Sequence, residues 1–264
     1  MYTEKALQES RSFGVRPVPT LRPLGWLARG WNDMLRCPGV SLTHGLIATL
    51  IGMALAWWAH DRFWLLAGAF SGFLLVAPVL ATGVYALSRA IEQGQRLDWW
   101  KGWRIVRKAW HPDGRLVVFS LLLALAGTGW VLTSASLIVG FSGRPIETPL
   151  DFLRYVLLAD QGHLFEIWLG MGAVLAAPVF ASSIVAIPML LDRSIGVLGA
   201  VFTSWRVVME HPAPTAIWAF LIMAMTFLGM FTVIGLMVVV PWLGHASWHA
   251  YRDLVEPSGN PEKH

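Results

Sequence analysis

Charge is scarce in this chain. Of its 264 residues only 14% are Asp, Glu, Lys or Arg, against about 25% in an ordinary soluble domain. That deficit excludes a conventional water-soluble fold. Cys37 is the only cysteine, so no intramolecular disulfide forms and the redox compartment is not diagnosed. Residues 1–24 lack the apolar core and small-residue cleavage site of a secretory signal. There is no Walker-type phosphate loop, no His-Glu-x-x-His and no Gly-x-Ser-x-Gly. Ser134, Ser136, Ser182 and Ser183 have no base at a suggestive spacing and read as helix-packing residues. No nucleic-acid motif is present. The expectation is a protein that is not an enzyme and does not bind nucleic acid.

What the chain has instead is apolar length, with 56% hydrophobic residues. About 20 residues at 1.5 Å each cross a bilayer core. Spans are expected at about 42–59, 63–87, 117–141, 167–191, 215–230 and 233–250. The stretch from Thr215 to Gly244 carries no charge. As one helix it would run about 45 Å, too long for a core of about 30 Å, so a turn is expected near Gly229 to Gly235. The fold class is therefore an all-α membrane protein of six transmembrane helices. Residues 1–25 are expected as an irregular cytoplasmic tail, 26–254 as one transmembrane domain and 255–264 as a second cytoplasmic tail.

The cations are unevenly placed. With six spans, 17 of the 20 Lys and Arg residues fall on one side, and only Arg62, Arg144 and Arg154 on the other. The positive-inside rule then puts both termini in the cytoplasm. His60-Asp61-Arg62 reads as a tight turn between the first two spans, and Gly68 and Gly72 there have a small-xxx-small spacing.

A weak repetition follows the same topology. Gly30-Trp31, Gly102-Trp103 and Ser204-Trp205 each lie in an amphipathic stretch, and Pro38, Pro112 and Pro212 follow just before a span. The even-numbered spans carry Pro78, Pro178 and Pro241. The reading is three pseudo-repeated hairpins, each preceded by a cytoplasmic-side amphipathic helix. The first of these places Leu27, Trp31 and Met34 on one face, with Arg29, Asn32, Asp33 and Arg36 elsewhere. The prolines remove backbone hydrogen bonds and can kink their helices.

The amphipathic stretches form a tryptophan-and-arginine collar. Trp99, Trp103, Arg104, Arg107, Lys108, Trp110, Trp205 and Arg206 are the expected lipid-interface residues, because indoles prefer the headgroup level and cations meet anionic lipid there. His245 and His249 are four apart and share a helix face. They are the candidate cofactor ligands, for haem or metal, with His44 as a third candidate metal ligand. No acidic or cysteine ligand set accompanies them, so a haem or metal is allowed but not expected. His111 and His211 precede prolines and read as turn or capping residues. Asp160, Glu166 and Asp192 fall near span ends and read as solvated. No ionisable residue occupies the middle of a span, which argues against a proton-coupled carrier.

Three stretches carry a family likeness: Leu24 to Asp33; Gly72 to Pro78 followed by Tyr85 to Arg89; and Pro241 to Arg252. On these, across about residues 15–255, the chain resembles a family of bacterial predicted integral membrane proteins defined only as a domain of unknown function. The resemblance implies a bacterial inner-membrane location. It makes His245, His249 and Arg252 family hallmarks without assigning them a role. The functional expectation is a transport-related or membrane accessory or assembly protein. Its expected partners are the lipid bilayer and either a membrane protein or further copies of itself. The alternative is a haem- or metal-binding protein tied to respiratory electron transfer, and a lipid-handling protein, motivated by the collar, is a third reading.

Overall fold

A computed structural model describes residues 2–58, 81–110, 113–146, 148–158, 163–232 and 234–256. Among them there are helices and no strands. In chain order these are α1 (Tyr2–Arg11), α2 (Arg22–Arg36), α3 (Pro38–Trp58), α4 (Thr82–Glu92), α5 (Trp99–Ala109), α6 (Gly114–Phe141), α7 (Pro149–Phe152), α8 (Leu164–Ser183), α9 (Ala186–Asp192), α10 (Val197–Glu210), α11 (Pro212–Thr232) and α12 (Leu236–Leu254). A π-helical turn, Leu153–Leu157, continues α7. His60 to Arg62, the pair Gly68 and Gly72, Pro78, His111, Pro112 and Asp160 lie outside the described residues.

Among the described residues, three stretches are long and apolar enough to cross a membrane: α6, Leu164–Asp192 and α11. A fourth arises if α2 and the start of α3, bent by 108°, count as one broken span. Helix α12 is not among them, because its second half carries His245, His249, Arg252 and Asp253. The uncharged stretch from Thr215 to Gly244 is two helices, divided between Thr232 and Leu236.

Local chemistry explains several boundaries. Pro38 and Pro212 open α3 and α11, where a missing N–H costs nothing. Helices α8 and α12 run on through Pro178 and Pro241, so neither proline ends its helix. The fourth apolar stretch breaks instead at Ile184 and Val185. Pro188 lies four residues beyond Ile184, and a proline ring clashes with the carbonyl at that position. The backbone N–H of Val185 at the break is taken by Ser204 Oγ of α10, at 3.3 Å.

Contacts divide the chain into two units. The first holds residues 1–49, 77–120 and 180–264. Its centre is α12, which packs along α2 and also meets α4, α9 and α11. Two glycines permit the close approach. A Cβ on Gly30 would lie 2.5 Å from the Ala246 backbone nitrogen, and one on Gly45 would collide with the Met237 carbonyl. Beside α12, Cys37, Val40, Leu87, Ile91 and Val106 form an apolar cluster. The N-terminal stretch, expected to be irregular, forms α1 against α10. Phe13 is fully buried there, and residues 14–16 pair with 254–256: Arg16 N–H donates to the Leu254 carbonyl at 3.0 Å and Glu256 N–H to that of Gly14 at 2.9 Å.

The second unit holds residues 50–76 and 121–179. Ile138, Ile146 and Val156 form its buried cluster with Phe152, Tyr155 and Trp168 beside them. Trp168 Nε1 donates to Ser134 Oγ at 2.8 Å, and the Trp130 and Trp168 rings are 5.7 Å apart. The start of α7 is a reciprocal cap. Thr148 Oγ1 takes the Asp151 N–H at 3.2 Å, and the Asp151 carboxylate takes the Thr148 N–H at 2.9 Å.

Candidate functional site

The second half of α12 gathers several buried polar groups of the first unit. His245 is fully buried. Its Nδ1 lies 2.7 Å from Ser88 Oγ on α4 and its Nε2 2.9 Å from Ser41 Oγ on α3. Ser88 Oγ also donates to Asp33 Oδ2 at 2.8 Å. Ser88 has one proton, and the carboxylate only accepts. That proton is therefore committed to Asp33, and His245 Nδ1 must donate to Ser88. Full burial with no carboxylate in contact favours the neutral ring, so His245 Nε2 accepts from Ser41. Cys37 Sγ, 3.3 Å from Ser41 Oγ, extends the chain of hydrogen bonds. His249 completes it at the other end, with Nε2 2.8 Å from Asp33 Oδ2.

Asp33 is thus the hub. Burial pushes its carboxyl up, but the hydrogen bond and charge of His249, with the hydrogen bond from Ser88, outweigh this and leave it below its ordinary value. The sequence places Asp33 on the polar side of α2. The structure turns that side inward: Trp26, Gly30, Asp33 and Met34 are buried, whereas Trp31 is 38% exposed. Asp33 pays no isolated-charge penalty because α4 and α12 present donors to it.

Three further carboxylates, Asp192, Glu92 and Asp253, are also held by several donors. Asp192, expected to be solvated, is 1% exposed. It accepts from Tyr251 OH at 2.8 Å and pairs with Arg89 Nε and Arg193 Nε, each at 3.1 Å. Arg252 Nε reaches Glu92 Oε1 at 3.0 Å, and Trp248 Nε1 donates to Glu92 Oε2 at 3.0 Å. At the helix end, Asp253 takes hydrogen bonds from Arg22 Nε at 2.6 Å, Trp26 Nε1 at 2.9 Å and Arg29 Nη1 at 3.2 Å. A helix with polar residues on several faces is stable here because each face meets a complementary partner.

The structure brings His245 and His249 into one network but uses both ring nitrogens of His245 on serines. His44 lies elsewhere on α3, stacked on Trp103 with centroids 5.3 Å apart and planes 8° apart. Among the described residues, no group of three His, Cys, Asp or Glu side chains is arranged to hold a metal. Of the collar, Trp99 and Trp110 are 46% and 48% exposed, Arg104, Arg107 and Lys108 are exposed, and Trp103 is partly buried. Trp205, 37% exposed, and the partly buried Arg206 also make hydrogen bonds within the protein. Trp205 Nε1 donates to Ser182 Oγ at 2.9 Å, and Arg206 to the Ser10 and Phe13 carbonyls at 2.8 and 3.2 Å. His211 sits at the junction of α10 and α11.

The residues missed from the sequence are Asp33, Ser41, Ser88 and Asp192. A buried carboxylate on an amphipathic helix leaves no periodic signal. The one available cue was the small or polar type of Gly30, Asp33 and Cys37 at helical spacing, opposite the aromatic stripe.

A family model described as Predicted integral membrane protein (DUF2189) matches residues 65–192. The resemblance read over about residues 15–255 is therefore shown over the middle of the chain. No curated protein and no solved structure matches. The DUF2189 segment supplies Ser88, Arg89, Glu92 and Asp192 to the networks. Asp33, Ser41, His245, His249 and Tyr251 come from outside it.

Proposed function

We propose that this DUF2189 protein is a non-enzymatic, six-span protein of a bacterial inner membrane. Its three hairpins are pseudo-repeats with amphipathic helices on the cytoplasmic side, and both termini are cytoplasmic. It acts as an accessory or assembly component, in preference to a transport-related role. One observation carries this reading. The buried carboxylates Asp33 and Asp192 and the partly buried Asp253 are each locked by several donors, while the middles of α6, α8 and α11 contain no ionisable residue. An arrangement of this kind holds helices in place; it offers no titratable path through an apolar layer.

Two measurements test it. Reporter fusions after residues 61, 150 and 233 should read outside, and those after 95, 200 and 256 inside. Photo-crosslinkers at the exposed apolar positions Leu125 and Phe231 should yield a discrete membrane-protein adduct in native membranes. Lipid adducts alone, with solute flux in proteoliposomes, would move the assignment to transport. The metal form of the alternative has no group of three ligating side chains in its favour among the described residues.

A further inference from the structure

Helix α2 has three faces. Its inner face, with Trp26, Gly30, Asp33 and Met34, is buried, and Trp26, Gly30 and Asp33 meet Asp253, Ala246 and His249 of α12. Its outer face is apolar. Leu21, the residue before α2, and Leu24, Trp31 and Leu35 are 66%, 52%, 38% and 57% exposed, and Ala28 among them is exposed too. Steps of 3, 4, 3 and 4 residues keep these five within an arc of about 80° at about 100° per residue. This is not the face read from the sequence, which grouped Leu27 and Trp31 with the buried Met34. Along one flank of the stripe, Arg22, Arg29 and Arg36 recur every seven residues. Arg22 and Arg29 hold Asp253, and Arg36 is exposed.

Two observations say what covers the stripe. Helix α2 meets α3 at a bend of 108°, close to a right angle. With α3 crossing a bilayer, α2 therefore runs along the membrane surface at the point of entry. The apolar exposure then continues past the corner, at Leu46, Ile47 and Leu50 of α3, in the part of the chain that lipid surrounds. A helix lying in the membrane plane buries an apolar face at the boundary between headgroups and acyl chains. The indole of Trp31 suits that level, and a long arginine side chain can bring its charge up to the phosphates.

We propose that Leu21, Leu24, Ala28, Trp31 and Leu35 seat α2 in the acyl-chain boundary of the leaflet at which α3 enters, with Arg36 at the phosphates. Helix α2 is then an in-plane anchor and not half of a broken span. Lipid on its outer face and α12 on its inner face fix it from both sides. The inference rests on α3 as a span of the proposed membrane protein, but not on an accessory role.

Spin labels read the assignment directly. On a Cys37→Ala background, single substitutions Leu24→Cys, Ala28→Cys and Leu35→Cys place a label on the stripe, Asn32→Cys and Arg36→Cys beside it, and Leu50→Cys within α3. The full-length protein would be reconstituted in vesicles of phosphatidylcholine and phosphatidylglycerol. Collision with oxygen, which concentrates in lipid, would be compared with collision with a water-soluble nickel chelate. Labels at 24, 28 and 35 should favour oxygen and lie about 5–10 Å below the phosphates. Those at 32 and 36 should favour nickel. Leu21→Gln/Leu24→Gln/Leu35→Gln should leave the melting temperature in detergent unchanged, because these side chains touch no core, yet reverse the preference of the label at 28. Stripe labels that favour nickel while Leu50→Cys favours oxygen would overturn the anchor and leave the span intact. Nickel preference at Leu50→Cys as well would overturn the span itself. Stripe labels shielded from both reagents would mean that protein covers the face. Dipolar broadening relieved by unlabelled protein would then identify a second copy as the occupant, and its absence another protein segment; either overturns the lipid assignment.

Discussion

The Nδ1 atom of His245 lies 2.7 Å from the hydroxyl of Ser88, across a sequence separation of 157 residues. The pair joins the C-terminal helix to the DUF2189 segment, and Ser88 passes its own proton to Asp33. Ser88→Ala would leave the buried His245 N–H without an acceptor and remove one donor from Asp33. The expected cost is about 1–3 kcal/mol, measured by thermal unfolding in mild detergent. Cys37→Ala, at the end of the chain of hydrogen bonds, should cost less. Equal effects would show that Ser88 only fills space.

Helix α12 approaches α2 and α3 at glycines. Gly30→Ala and Gly45→Ala would each push a methyl into the backbone of α12. Overpacking of this kind costs about 1–3 kcal/mol or more. Gly25→Ala is the control, since nothing lies within 4 Å of a Cβ there. Melting temperatures should fall for the first two and stay unchanged for the third.

Acid should loosen the α2–α12 contact. Burial pushes the Asp253 carboxyl up, but hydrogen bonds from Arg22, Arg29 and Trp26 outweigh it and hold it below its ordinary value. A carboxyl depressed in the folded state stabilises fully above its unfolded pKa, about 3.9, and loses that contribution as pH falls through the folded value. Asp33 has the same sign. Stability should therefore drop below about pH 4, and Asp253→Asn should be less stable at neutral pH with a flatter acid limb. Arg22 and Arg29 are 45% and 38% exposed, so salt should reduce the Asp253 effect by screening.

The break between α8 and α9 depends on Ser204, which takes the Val185 N–H. Ser204→Ala would leave that buried donor unpaired, at a cost of about 1–3 kcal/mol. Amide hydrogen exchange should accelerate locally around Val185. Unchanged exchange would mean that another acceptor replaces the serine.

The purified protein should show no Soret band and no stoichiometric metal, and a His245→Ala/His249→Ala variant should have the same spectrum. The reason is that Ser41 and Ser88 occupy both nitrogens of His245. A chromophore lost in the variant would restore the respiratory alternative.

Much of the architecture was legible in the chain itself. Apolar length alone identifies α6, α8 and α11, because a bilayer demands about 20 uncharged residues whatever their neighbours. Proline positions locate the starts of α3 and α11, and the length of the Thr215 to Gly244 run requires a turn within it. These are local or compositional facts. The inward turn of Asp33, the burial of Asp192 and the ordering of α1 on α10 are not local. Each requires donors that arrive from 55 or more residues away, and a single sequence carries no record of that pairing. The histidines show the division most clearly. Their spacing of four residues places them on one helix face, and the sequence goes no further. Tertiary structure gives His245 to two serines and His249 to a carboxylate, because only there do α2, α3 and α4 bring those groups within hydrogen-bond reach.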